Sequence, residues 1–187
     1  LAGHSWGGLG VFLAAQGDAD IDAVVLLDAN DDRAVAMGAA PTVTQPTAHL
    51  MAQVMGACNS TNWKDTVYPL TPSPHMRLVV QGAGHCDVED PGDSLCPFAC
   101  GAGDASLHYV FRRYTVAFLS CILQGDTSMA DWVGGSSFDG DVSTMKIGYV
   151  DQMGLDTLPC RTGGLPDAGV PPDSGTTGTD AGSGTDA

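Results

Sequence analysis

The first eight residues constrain the fold of this chain more than any other segment: Leu-Ala-Gly-His-Ser-Trp-Gly-Gly. Leu1 and Ala2 are typical of the end of a buried strand, and an apolar, glycine-rich helix is predicted immediately afterwards, over residues 6–16. A strand that turns into a helix so abruptly holds Ser5 in a strained conformation at the apex, and the flanking glycines avoid side-chain collisions there. The segment therefore predicts a strand–turn–helix unit of an α/β sheet.

The same turn is suited to nucleophilic chemistry, because Gly3-His4-Ser5-Trp6-Gly7 matches the pattern G-x-S-x-G. The serine hydroxyl is presented at the tip of the turn, and the helix N-terminus behind it stabilises developing negative charge. The backbone N–H of Trp6 is the predicted oxyanion donor, and His4 and Trp6 are the predicted residues on the oxyanion and substrate side. The Trp6 indole either lines the acyl side of this site or packs against the flank of the sheet.

Three further segments predict strands of a sheet that is covered on both faces, namely residues 22–28, 47–53 and 76–81. Residues 54–75 contain three prolines and are predicted to be irregular. Strands separated by helices or long loops are typical of an α/β architecture.

A long amphipathic helix is predicted over residues 105–124, with Asp104 as its N-cap and Gly125 as its stop. Its apolar side chains recur every three or four residues, which predicts one buried face: Leu107, Val110, Phe111, Tyr114, Phe118, Cys121 and Ile122.

The general base is predicted to be His85, which follows residues 76–81, the predicted last strand of the sheet, and the turn Gly82-Ala83-Gly84. Loops beyond the carboxyl ends of parallel strands form the active sites of such sheets, and a neutral imidazole there can take the proton of Ser5. The other four histidines are less well placed for a base. His49 lies within a predicted strand and His75 before one, whereas His108 lies in the long helix and His4 in the first turn.

The acid of a Ser–His–acid triad is predicted between Ser5 and His85 in chain order. Residues 51–59, after the strand at 47–53, contain no carboxylate. Asp28, at the end of the preceding strand, is therefore the first candidate, and Asp31 is the alternative. Without a catalytic role, Asp28 is a strand-ending turn residue and Asp31 belongs to a solvated loop.

Charge indicates which kinds of partner this chain disfavours, and cysteine content indicates its cellular compartment. Acidic residues outnumber basic ones by 22 to 7, so nucleic acid and anionic membranes are poor partners. No apolar run is long enough to span a bilayer. The even number of cysteines, six, predicts disulfides and an oxidising compartment, with the pairing left open. The alternative is a zinc site at Cys96 and Cys100, whose C-x3-C spacing has no matching second pair.

Two acidic segments remain. The first contains Asp87, Glu89, Asp90 and Asp93 and is predicted to be a hydrated loop held in place by cysteines. A calcium-binding loop is the less favoured alternative.

The second acidic segment is the Pro-, Gly-, Asp-, Ser- and Thr-rich end of the chain. Residues 161–187 are predicted to be a disordered tail, because they have too few large apolar side chains to form a core. Residues 1–160 are predicted to form the α/β domain.

Taken together, Gly3-His4-Ser5-Trp6-Gly7, Leu27-Asp28 and Gly84-His85 resemble the α/β-hydrolase superfamily over roughly residues 1–125. The Leu-Asp placement resembles platelet-activating-factor acetylhydrolases and chlorophyllases. The resemblance implies a Ser5–His85–Asp28 triad that cleaves carboxylic esters, small or lipid-like, through an acyl-enzyme, without a cofactor or metal. It also implies the C-terminal half of the fold, a mostly parallel sheet flanked by helices. We further expect a monomer that is secreted or on a bacterial cell surface.

Three alternatives to an ester hydrolase remain at this point. A peptidase or a thioesterase would use the same residues on the same fold. A non-catalytic surface protein on a decayed hydrolase scaffold would explain the missing carboxylate after residues 47–53. The resemblance also places earlier strands and a second oxyanion donor before Leu1. On that expectation the residues from Leu1 onwards are a fragment with impaired activity and with a tendency to fold poorly alone.

Overall fold

The structure is a computed structural model that describes residues 1–31, 34–60, 63–89 and 95–162. Its centre is one five-stranded sheet with the strands in chain order: β1 (Ala2–His4), β2 (Val24–Leu27), β3 (Thr47–Ala52), β4 (His75–Val80) and β5 (Ile147–Met153). The first four strands are mutually parallel, and β5 pairs antiparallel with β4. The fold is therefore α/β with a mostly parallel sheet, as the sequence predicts.

Helices connect and cover the strands. They are α1 (Ser5–Ala14), α2 (Val35–Ala39), α3 (Trp63–Thr66), α4 (Leu95–Cys100), α5 (His108–Leu123), α6 (Ser136–Ser143) and α7 (Pro159–Thr162). Short 3-10 turns accompany them at Ala40–Thr42, Tyr68–Leu70, His85–Val88, Ala105–Leu107, Thr127–Met129 and Leu155–Thr157.

Each face of the sheet is covered by one of the two longest helices. The buried stripe of α5 packs on the face that presents Val25, Leu50 and Leu78. On the other face α1 packs with Phe12, together with Trp63 of α3. Successive strand residues point to opposite faces, so burial on both sides explains the continuous apolar runs in β2 and in residues 78–80 of β4.

The predicted elements are found close to their predicted bounds. The helix expected at residues 105–124 begins with a 3-10 turn, whose Ser106 N–H donates to the Asp104 side chain over 3.0 Å, so Asp104 is a cap as predicted. Gly125 follows the helix with φ 60°. The predicted stripe is buried, apart from Leu107, which is partly exposed.

Two expectations about the sheet are wrong. Residues 76–81 do not form its last strand, because β5 adds an antiparallel edge beyond it. The first strand is not buried either: Leu1 is exposed, and Gly3 and His4 are partly exposed. The reason is that, within the part of the chain that the structure describes, β1 pairs only with β2 and forms the opposite edge of the sheet.

All six cysteines form disulfides: Cys58–Cys100, Cys86–Cys96 and Cys121–Cys160. Cys96 and Cys100, the pair considered for zinc, therefore bond to different partners. No helix among the described residues is long and apolar enough to cross a membrane. The predicted tail lies, from residue 163 onwards, outside the described residues.

Candidate active site

Three predicted site residues meet at one edge of the sheet. Ser5 follows β1, Asp28 follows β2 and His85 follows β4. Because these strands are parallel, their carboxyl ends lie at the same edge, where ligands bind in open α/β sheets. Residues 80 positions apart in the chain are thereby brought into hydrogen-bond contact.

The backbone at Ser5 has the strained conformation that the motif predicts. Its φ is 55°, in the left-handed region that non-glycine residues rarely adopt, and it is the first residue of α1. A Cβ at Gly3 would overlap the carbonyl oxygen of Gly7, and one at Gly8 would lie 2.7 Å from the Ala29 Cβ. A Cβ at Gly7 would meet nothing within 4 Å. Gly3 and Gly8, rather than Gly3 and Gly7, are therefore the glycines that the turn requires.

This difference makes Gly3 and Gly7 a matched pair. Gly3→Ala is expected to lower stability by about 3 kcal/mol, since overpacking forces the backbone to shift. In a domain of this size that corresponds to a fall of roughly 6–12 °C in Tm. Gly7→Ala is expected to raise the Tm slightly, because alanine is the better helix former at an open position. Thermal unfolding followed by circular dichroism measures both, and equal losses would contradict the steric argument.

His85 lies between the other two side chains. Its Nε2 is 3.0 Å from the Ser5 Oγ and its Nδ1 is 2.7 Å from Asp28 Oδ2. A carboxylate can only accept, so Nδ1 carries the proton and donates to Asp28, which leaves Nε2 as an acceptor for the serine hydroxyl. His85 is 3% exposed, so this hydrogen-bonded pair is shielded from water.

Asp28 is held by more than His85. It is buried, its φ is 42°, and its own N–H donates to the Leu50 carbonyl. The Ala52 N–H donates to Oδ1 over 2.9 Å, and the Asn59 side-chain amide donates to Oδ2, also over 2.9 Å. Each oxygen of this carboxylate therefore faces at least one N–H donor, which fixes its orientation.

The alternative acid, Asp31, has a different position. Its Oδ2 accepts a hydrogen bond from the Ala36 N–H over 2.6 Å, at the start of α2. Asp31 is 6% exposed, so the expectation of a solvated loop residue is wrong. The geometry joins His85 to Asp28 and ties Asp31 to a helix start.

His4 contacts the base directly. Its Nε2–H donates to the His85 carbonyl over 3.0 Å, and the two rings lie 4.5 Å apart between centroids. Burial lowers the pKa of His4, and the neighbouring His85 lowers it further. A neutral His4 adds no like charge beside His85, so an imidazolium formed there meets no repulsion from it. His4 Nε2 thus bonds to the backbone of His85, whereas the sequence predicts His4 on the substrate side.

Trp6 lies at the open side of the turn. Its side chain is 59% exposed, so it is not packed into the flank of the sheet. Its backbone N–H belongs to the first turn of α1, where N–H groups have no partner within the helix. This N–H is therefore available to an oxyanion at Ser5.

A cavity of about 290 Å³ adjoins Asp28 and Asn59, lined also by Met51, Gln53, Val79 and Gln81 among others. Neither Ser5 nor His85 lines it. It therefore lies behind the acid rather than at the nucleophile.

The remaining histidines do not take part in this arrangement. His49 is fully buried, its pKa lowered to about 3 mainly by burial, and its Nδ1 accepts from the Trp63 indole N–H. His75 begins β4 at the far end from the site, and His108 begins α5.

The acidic segment after His85 is only partly visible. Asp87 accepts from the Gly84 N–H over 2.7 Å, and Glu89 lies 3.6 Å from His4. Asp90 and Asp93 lie outside the described residues.

Asn59 is the site residue that the sequence did not indicate.

Comparison with known proteins assigns no family to this chain, because no protein-family model and no curated protein matches it.

Proposed function

We propose that this chain carries the nucleophile, base and acid of a serine hydrolase that cleaves carboxylic esters through an acyl-enzyme. One observation supports the proposal above all others: the continuous hydrogen-bonded path from Ser5 through His85 to Asp28, at 3.0 and 2.7 Å. Nucleophile, base and orienting acid within hydrogen-bond reach are the requirement for activating a serine hydroxyl.

In the first half-reaction, the Ser5 Oγ attacks the ester carbonyl carbon while its proton passes to His85 Nε2. The carbonyl oxygen becomes an oxyanion, which the Trp6 N–H and the N-terminus of α1 stabilise. The buried Asp28 carboxylate stabilises the imidazolium that forms. His85 Nε2–H then protonates the departing alcohol oxygen, and an acyl group remains on Ser5.

In the second half-reaction, a water takes the place of the alcohol. His85 Nε2 removes its proton, the hydroxide oxygen attacks the acyl carbon, and the proton returns to Ser5 as the acid leaves. The same histidine acts as base and then as acid in each half, so the fixed 2.7 Å contact between His85 and Asp28 serves both.

The order of the site residues supports an α/β-hydrolase fold. The serine, acid and histidine follow parallel strands in the chain order Ser, Asp, His, which is the order of that superfamily. The three disulfides support a secreted or cell-surface protein. Esters are proposed ahead of amides and thioesters on the resemblance alone.

A fluorophosphonate probe tests the proposal directly. We expect one covalent adduct per chain, mapped by peptide mass spectrometry to Ser5, because only an activated serine attacks such a probe rapidly. Preincubation with a short p-nitrophenyl ester is expected to slow the labelling. Labelling of several serines at similar rates, or of none, would show that Ser5 is not activated.

A further inference from the structure

We propose that Asn59 is a positioning residue for the Asp28–His85 pair, and that two disulfides joined through α4 hold it in place; this rests on the proposed function. The disulfides are Cys58–Cys100 and Cys86–Cys96. Together with α4 they are called the brace below.

Asn59 makes the contacts of a fixed side chain. It is 4% exposed, and its Nδ2 donates to Asp28 Oδ2 over 2.9 Å and to the Val54 carbonyl over 3.2 Å. Its Oδ1 accepts from the Gly56 N–H over 2.6 Å. The same Asp28 oxygen accepts the hydrogen bond from His85 Nδ1–H, so the Asn59 amide fixes the atom that orients the base.

The brace links this residue to the base through a short covalent path. Asn59 follows Cys58, which bonds to Cys100 at the end of α4. Cys96 lies one helical turn before Cys100 in α4. It bonds to Cys86, which directly follows His85. The loop that holds the acid and the turn that carries the base are therefore bonded to the same six-residue helix.

Close packing makes the brace stiffer than a loose tether. A Cβ at Gly56 would overlap the Cys100 carbonyl oxygen, so the loop backbone lies directly on the end of α4. On the other side, Cys86 is 5% exposed. Catalytic geometry is sensitive to such support, since a misplacement of about 1 Å can cost roughly 100-fold in rate.

The chain contains its own control for the brace. The third disulfide, Cys121–Cys160, joins α5 to α7, and neither helix carries a triad residue. It closes a separation of 39 residues, against 42 for Cys58–Cys100. Their removal is therefore expected to lower stability by similar amounts in the chain-entropy view.

The first test compares the double variants Cys58→Ser/Cys100→Ser and Cys121→Ser/Cys160→Ser, assayed at a temperature at which both are folded. We expect the first to lose about 10- to 100-fold in kcat with KM nearly unchanged, and the second to lose less than about 2-fold. Equal losses of kcat in the two variants would overturn the proposal, because they would show that only global stability matters.

The second test addresses Asn59 without removing a disulfide. Asn59→Asp keeps an oxygen for the Gly56 N–H but places a carboxylate oxygen against Asp28. We expect it to lower kcat by about 100-fold or more, and more than Asn59→Ala does, because like charges replace a hydrogen bond. If Asn59 only shapes its loop, Asn59→Asp retains the Gly56 contact and is the milder variant, which would overturn the proposal.

A spectroscopic measurement separates this proposal from the proposed function. The proton on His85 Nδ1 is expected to give a far-downfield NMR resonance, which needs no turnover. We expect it in the wild type and in Cys121→Ser/Cys160→Ser, and its loss or broadening in Cys58→Ser/Cys100→Ser and in Asn59→Asp. An unchanged resonance in these last two variants would overturn the positioning role, whereas an inactive wild type that keeps the resonance would contradict the proposed function alone.

Discussion

Replacing Ser5 with alanine is expected to lower the kcat for p-nitrophenyl butyrate hydrolysis by about 10⁶-fold, to the level of residual binding and oxyanion stabilisation. The reason is that the proposed reaction proceeds through an acyl group on the Ser5 Oγ, 3.0 Å from the base. The release of p-nitrophenolate, followed by absorbance, measures the loss. KM is expected to change little, since the hydroxyl contributes little to substrate binding.

A double variant sharpens this expectation. Because Ser5 and His85 act as one unit, Ser5→Ala/His85→Ala is expected to be no slower than Ser5→Ala alone. Losses that multiply would indicate that the two residues act in separate steps. A Ser5→Ala variant that kept more than about one hundredth of the wild-type rate would place the nucleophile elsewhere.

The nucleophile and the base could be predicted from the sequence because their signals are local. The strand, turn and helix around Ser5 are contiguous, so the pattern G-x-S-x-G and its apolar flanks specify the backbone. His85 is one of five histidines, but it alone follows a strand at the carboxyl end. The structure joins these two residues at 3.0 Å.

The acid could only be narrowed to a loop. Asp28 and Asp31 are three residues apart, and both are buried, so neither spacing nor polarity separates them. What separates them is the left-handed backbone at Asp28, which aims its carboxylate at His85, while Asp31 is bonded to the start of α2. Such a backbone conformation at an aspartate leaves no mark in a single sequence.

Asn59 and β5 could not be predicted for related reasons. A search for carboxylates after β3 passes over an amide, and Asn59 lies 31 residues after Asp28, with α2 and β3 between them. The disulfide partner of the adjacent Cys58 was also open among several cysteines. β5 pairs with β4 across about seventy residues, and nothing local to it indicates that partner.

Replacing Asp28 with asparagine is expected to lower kcat by about 10³- to 10⁴-fold. Both carboxylate oxygens accept from N–H groups, Oδ1 from Ala52 and Oδ2 from Asn59 and His85. An amide NH₂ at either position would face a donor. If the NH₂ takes the Oδ1 position it meets one donor, the Ala52 N–H, whereas in the Oδ2 position it meets two, from Asn59 and His85. The first orientation is therefore expected.

This orientation decides how the activity is lost. With its oxygen still facing His85, the asparagine keeps the imidazole tautomer that accepts the Ser5 proton. It cannot supply negative charge beside the imidazolium, so the transition state loses electrostatic stabilisation in a buried site. The structure of Asp28→Asn is therefore expected to show an unmoved His85 ring and a displaced Ala52 peptide.

Asp31→Asn is the matched control, because it makes the same chemical change three residues away in the same loop. It removes charge from the carboxylate that accepts the Ala36 N–H at the start of α2, and it is expected to lower the Tm by a few degrees with kcat within about 3-fold of wild type. Steady-state kinetics and thermal unfolding of both variants make the comparison. A larger loss of kcat in Asp31→Asn than in Asp28→Asn would move the acid to Asp31, and equal losses would show that the loop as a whole supports His85.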